Sequence, residues 1–150
     1  MDCTIARATA SDLDAVAPLF DAYRSFFAGR QGFEESRRFL AERFGRDDSV
    51  VFVAWIGADA GGFIQLYPLW SSWYCRRIWF LSDLYVEEPL RHRGFGRRLV
   101  ERVLAFARET EASSVMVELP HREPHLTEFY GKLGFHKDKI FELARYLVGD

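Results

Sequence analysis

"LSDLYVEEPLRHRGFGRRLVERVLAFARE", residues 81–109, is the stretch whose reading decides the fold. It opens apolar and β-rich. Its second half places Leu99, Val100, Val103, Leu104 and Ala107 on one helical face. Between the two lies a loop carrying Arg91, His92, Arg93, Gly94 and Gly96, so the order is strand, loop, helix. The sign of the charge is unusual. Arg91, Arg93, Arg97 and Arg98 crowd a helix start that already holds about +0.5 of partial charge and a set of free amides. Cations gathered on that spot imply an anion among them. Gly94 and Gly96 lack a Cβ and let the backbone approach it closely, which suits a phosphate or, better, a diphosphate.

Two other glycine loops fit less well. A dinucleotide-binding fingerprint needs a third glycine and an acid on the next strand. Here Gly94-Phe95-Gly96-Arg97-Arg98-Leu99 has neither, because the helix is still running where that acid belongs. A nucleotide P-loop needs Gly-Lys-Ser/Thr, which is absent. The arginines do not read as a nucleic-acid patch either, since Phe95 is the one aromatic interleaved with them and the net charge is −2. Four histidines without a supporting Cys or acid cluster give no metal site.

The pattern Arg91-x-x-Gly94-x-Gly96 resembles the acyl-CoA loop of the GNAT N-acetyltransferase superfamily. "FYGKLGF", residues 129–135, is similar to that superfamily's second signature, one helix and one strand downstream. The resemblance covers nearly the whole chain. "GFIQLYP" and "LSDLYV" resemble, more weakly, a yeast-type polyamine or histone acetyltransferase subgroup. The implied fold is a mixed α/β one: a twisted, mostly antiparallel sheet with a central splayed parallel pair, flanked by helices. The implied activity is acetyl transfer from acetyl-CoA to a primary amine by direct attack in a ternary complex, in a homodimer, with no metal. Loop residues Arg91, His92, Arg93, Gly94, Phe95, Gly96, Arg97 and Arg98 would hold the diphosphate. Leu84, Tyr85 and Val86 would pair with the pantetheine arm as with an added strand. Tyr130 would protonate the departing thiolate.

Proton removal from the amine has three candidates: Asp83, Glu118 and His121. Asp83 would equally serve to hold a cationic substrate by charge. The second signature departs from the family at Glu123 and Leu126, where Asn and Ala are frequent. A cofactor contact of that Asn is therefore not expected, and Tyr130 is untouched by the change. Two other readings keep the loop: a non-catalytic acyl-CoA-binding or sensing domain, and a protein or peptide acetyltransferase acting on lysine or N-terminal amines.

At 150 residues, 49% of them hydrophobic and with 14 Phe, the sequence suffices for one well-packed domain over 1–150. Cys3 and Cys75 have neither metal nor disulfide spacing and suit a reducing compartment. No apolar run approaches the length of a membrane span and no leader pattern is seen, so a cytoplasmic location is expected, without membrane or nucleic-acid partners.

In chain order, residues 4–8 read as a strand. Ser11 and Asp14 read as the start of a helix bearing Val16, Leu19, Phe20, Tyr23 and Phe27, with Pro18 set to kink it or shift its start. Residues 34–44 form a second helix burying Phe39, Leu40 and Phe44. Strands follow at 49–56, 63–69 (ended by Pro68) and 77–86, the last covered on both faces. Trp70, Trp73 and Tyr74 line a cleft or form a satellite cluster. Ser82 and Asp83 mark a β-bulge. A strand at 115–119, a helix from Pro124 to about Leu133 stopped by Gly134, and strands at 135–137 and 141–147 complete the chain.

Overall fold

The computed structural model describes residues 2–30 and 32–149. The chain forms two compact units, one ending at Glu118 and one beginning at Leu119.

The first unit is built on five strands: β1 (Thr4–Arg7), β2 (Val50–Ile56), β3 (Asp59–Ser71), β4 (Arg76–Val86) and β5 (Ser114–Val117). They lie side by side in sequence order. The first four are antiparallel neighbours, and β5 runs parallel to β4. A parallel neighbour needs a crossover, and α3 (Phe95–Glu109) supplies it. Helices α1 (Leu13–Ala28) and α2 (Phe33–Arg46) connect β1 to β2.

Two apolar layers sandwich the sheet. On one face Val16, Ala17, Leu19 and Phe20 of α1 and Leu40 of α2 pack with Val51, Val53 and Phe63. Alternation along β2 sends Phe52 to the other face, where it meets Phe106 of α3 with ring centroids 5.4 Å apart. Leu99, Val100 and Val103 are fully buried there, each such side chain contributing about 1.5–3 kcal/mol. Phe95 and Phe106 join them and Leu104 is only half-buried, so the inward face of α3 is rotated slightly from the one read off the sequence.

Several local expectations are corrected. A short 3-10 turn, Ala10–Asp12, leads into α1, so the helical run begins after Thr9 and Ser11 lies inside that turn. The Thr9 N–H donates to the Asp12 carboxylate at 2.9 Å, and Asp14 instead pairs with Arg37 of α2 at 3.0 Å. Helix α1 runs unbroken through Pro18; the proline lacks one N–H, and buried neighbours Ala17 and Leu19 hold the turn in place. Phe39 is 39% exposed, stacked between Phe20 and the Arg43 guanidinium instead of buried. Pro68 does not end β3. Beyond Leu66 that strand has no β2 partner, and an edge is where a proline fits. Most of β4 is half-buried rather than covered on both faces.

Trp70, Trp73 and Tyr74 stand exposed around the β3–β4 turn; Trp70 stacks on Arg77 at 4.5 Å and lines a surface depression with Arg77, Trp79 and Thr110. β5 stops at Val117, short of the expected 119.

In the second unit, α4 (Pro124–Lys132) is followed by Gly134 at φ +100°, the left-handed position that ends a helix. The expected strands at 135–137 and 141–147 are not formed. That run has strand composition, but a strand is a pairing and not a propensity. Here the Ile140 and Phe141 N–H groups donate to the Asp138 carboxylate (2.7 and 3.2 Å), a local turn in place of a ladder.

Gly62 fixes how closely β3 approaches β4. A Cβ there would lie 2.9 Å from the Tyr85 carbonyl oxygen and 3.2 Å from Val86 Cγ2. Gly62→Ala should therefore lower stability by about 1–3 kcal/mol in urea unfolding. An unchanged or raised midpoint would mean that β4 yields freely at this point.

Candidate active site

The site is assembled where β4 and β5 part. Their parallel pairing runs Ile78↔Ser114 through Leu81↔Val117 and stops. β4 continues to Val86, paired with β3 alone: Leu84 with Ile64, Tyr85 with Phe63, Val86 with Gly62. At the parting point Gln65 faces Asp83 while Leu66 faces Leu81, so Ser82 is the extra residue of the bulge expected from the sequence. Among the described residues, no strand flanks Leu84–Val86 on the β5 side.

Downstream the chain makes a single turn at Glu88–Leu90, tied to β3 by the Glu87 N–H donating to the Gly61 carbonyl at 3.0 Å. It then takes two left-handed residues, His92 (φ +63°) and Gly94 (φ +84°), that aim it into α3. The first residue of α3 to bond back is Arg98, whose N–H donates to the Gly94 carbonyl at 3.1 Å. The amides of Phe95, Gly96 and Arg97 precede it. No side chain caps this end and no acid stands in the first turn. A helix start lacking both is set up to take an anion.

The cations are distributed more selectively than their clustering suggested. Arg97 pairs with Glu101 one turn on, at 2.7 Å. Arg98 lines a surface depression with Cys3, Thr4, Ile5, Glu101 and Arg102. Phe95 is buried in the core, 6% exposed, and anchors the helix start. His92 and Arg93 are exposed on the loop. Arg91 turns back. Its Nε donates to the Val86 carbonyl at 2.8 Å, and its guanidinium lies 4.9 Å from the Phe26 ring and 5.3 Å from the Tyr85 ring.

Beside the bulge is a polar cluster that sequence reasoning found in part. Burial raises the Asp83 carboxyl above its ordinary range, and hydrogen bonds from the Tyr23 and Ser82 hydroxyls offset this only partly. Tyr67 is also shifted upward, first by burial and then by the Asp83 charge. Gln65, opposite Asp83, is fully buried; its Nε2 donates to Ser49 Oγ at 3.1 Å, while its Oε1 has no partner among the described residues. The signal for Gln65 was present in "GFIQLYP", one amide in the middle of an apolar run. Glu118 is exposed and follows Val117, which puts it one residue beyond the last β4–β5 pair.

Tyr130 lies in the second unit. It is 4% exposed, between Phe129 (5.0 Å) and Phe135 (5.3 Å), and its carbonyl accepts from the Leu133 and Phe135 N–H groups. His121 is exposed in the same unit. Among the described residues no group of His, Cys, Asp and Glu is arranged to hold a metal, and no helix is long and apolar enough to cross a membrane.

With this geometry in place, similarity to known proteins is informative. The sequence profile described as "Acetyltransferase (GNAT) family" matches residues 16–135. The uncharacterized N-acetyltransferase YhfO of Bacillus subtilis is 32% identical, over 91% of this chain and 92% of its own length. A D-amino-acid N-acetyltransferase of Saccharomyces cerevisiae is 32% identical over 55% of this chain and 51% of its own. A crystal structure of a probable acetyltransferase superposes with a TM-score of 0.92 at 34% identity, covering 98% of this chain and 99% of that one.

The upward shift at Asp83 has a thermodynamic consequence. A carboxyl with a raised native pKa keeps its proton longer folded than unfolded, so stability falls as pH rises above its unfolded value of about 3.9. Asp83→Asn should match the wild type in melting temperature near pH 3 and exceed it at pH 7. Equal melting temperatures at pH 7 would mean that the carboxylate is well solvated or ion-paired.

Proposed function

The chain belongs to the GNAT acetyltransferase family, and from that premise we propose that it moves an acetyl group from acetyl-CoA to a primary amine by direct attack in a ternary complex. The observation that carries this reading is the conjunction of two unsatisfied backbone surfaces: the uncapped start of α3 and the unflanked end of β4. The first suits a diphosphate. The second suits the amides of a pantetheine arm, which would run along Leu84 and Tyr85. Val86 contributes less than expected, because its carbonyl is already engaged by Arg91.

In this reading Arg91, His92, Arg93, Gly94, Phe95, Gly96, Arg97 and Arg98 form the diphosphate loop. Arg91, through the Nη atoms left free by its Nε bond to Val86, would make direct contact together with His92, Arg93 and the leading amides, and Phe95 would anchor from below. The acetyl carbonyl would then sit near the bulge. An alkylamine with a pKa of about 10.4 must lose a proton before attack, at a cost of about 4–5 kcal/mol at pH 7. Asp83, at the bulge, would receive that proton or hold the ammonium while water receives it. Glu118, one step past the strand pair, is the second candidate. The phenol of Tyr130 would protonate the leaving thiolate.

Among the relatives, the named acceptor of the yeast enzyme is a D-amino acid, consistent with a small amine here. We further infer a cytoplasmic homodimer. Ile140, Leu143, Tyr146, Leu147 and Val148 are each more than two-thirds exposed, a run of apolar surface that a second copy would cover.

The direct test is incubation with acetyl-CoA and a panel of small amines and peptides, read by mass and by thiol release. Transfer to one small-amine class is expected; tight CoA retention without thiol release above hydrolysis would make the chain a binding domain instead. Tyr130→Phe should lower kcat about 10- to 1,000-fold with CoA affinity nearly unchanged. An unaltered kcat would remove Tyr130 from the chemistry. Light scattering should return twice the chain mass, and a single-chain mass would reject the dimer.

A further inference from the structure

Arg91 is the least expected feature of the loop. An arginine at a diphosphate site ordinarily reaches outward on a flexible stem, yet here the side chain is fixed at three points before any ligand arrives. The Val86 carbonyl accepts from its Nε at 2.8 Å, the Tyr85 ring lies 5.3 Å from the guanidinium carbon and the Phe26 ring 4.9 Å. Tyr85 and Val86 are part of the strand that ends in the loop. Phe26 is not, since it comes from the last turns of α1, a different wall of the molecule.

Phe26 is also 60% exposed, an unusual position for a large apolar ring. It is held edge-on by Phe27 at 4.8 Å, Phe27 packs on Tyr23 at 5.1 Å, and Tyr23 returns to Tyr85 at 6.4 Å. The two ends of this aromatic chain, Phe26 and Tyr85, both meet the Arg91 guanidinium. With Nε committed, the two Nη atoms have no hydrogen-bond partner among the described residues, and they carry four of the five donors of the guanidinium.

We propose that Phe26 is a positioning residue for donor binding: with Tyr85 it clamps the Arg91 guanidinium so that the free Nη fork is presented to the diphosphate of acetyl-CoA. The inference rests on the acetyl-CoA reading above. The physical gain is preorganisation. A planar fork held between two rings has lost its rotamer freedom in advance, so less is lost on binding. The clamp also joins the end of α1 to the donor loop.

The test is calorimetric titration with CoA, together with steady-state kinetics in acetyl-CoA. Phe26→Leu keeps apolar bulk but removes the ring face. It should weaken CoA binding about two- to fivefold, the size of an exposed cation–π contact, with the loss falling on the acetyl-CoA KM more than on kcat. Phe26→Tyr, which keeps the face, should restore wild-type affinity. Arg91→Lys keeps the charge but not the planar fork; in that background Phe26→Leu should cause little further loss, because the two act as one unit. Equal CoA affinity of Phe26→Leu and wild type would overturn the clamp and leave the acetyltransferase reading intact, as would additive losses in the double variant. Wild-type protein that takes up no CoA would overturn both.

Discussion

The structure depends on the point where β4 and β5 stop pairing. Parallel strands normally satisfy one another along their length. Here the ladder ends at Leu81 and Val117, and β4 runs on to Val86 with one side unflanked among the described residues. The bulge at Ser82 sits at that boundary and shifts the register from Leu66↔Leu81 to Gln65↔Asp83. One extra residue thereby changes which side chains face which, and it opens a row of backbone groups that a folded protein would ordinarily pair. The fixed elements around it hold the gap in place. Gly62 draws β3 close, α3 packs through Phe95, Leu99 and Val103, and the Glu87 tie to Gly61 sets where the loop begins.

Charge and burial near this gap work against the stability of the unliganded chain, and in a consistent direction. Asp83 is kept where ionisation is disfavoured, Gln65 Oε1 is buried without a partner among the described residues, and α3 begins with neither a side-chain cap nor an acid. The uncapped helix start and the buried amide oxygen each cost on the order of a kilocalorie. Three such features at one end of one sheet are hard to ascribe to packing, while further along α3 Phe106 packs on Phe52 in an apolar contact. Proteins keep local rule-breaking of this kind where a ligand later supplies the missing partners.

The sequence was most readable where one physical rule acts alone. The glycines and arginines after a β-rich run placed the loop and α3, and two small polar residues in an apolar strand placed the bulge at Ser82 and Asp83. It was less readable where tertiary context overrides a local tendency. Pro68 passes through β3 because its neighbour strand has already ended, and Pro18 rides inside α1 because Ala17 and Leu19 are packed on the core. Residues 141–147 have strand composition and form no strand, since pairing is decided by a partner and composition is silent on that. The individual fates of the arginines were not legible either. Arg97 goes to Glu101 and Arg91 to Val86 and two rings, and nothing in the spacing distinguishes them from Arg93.

The central claim is that the unflanked end of β4 and the open start of α3 are completed by one ligand. Amide hydrogen exchange with and without CoA tests it most directly, because it reads those backbone groups themselves. The account predicts slowed exchange confined to Leu84–Val86 and to Phe95, Gly96 and Arg97 when CoA is added. Unchanged exchange at both places, or protection of one without the other, would contradict it.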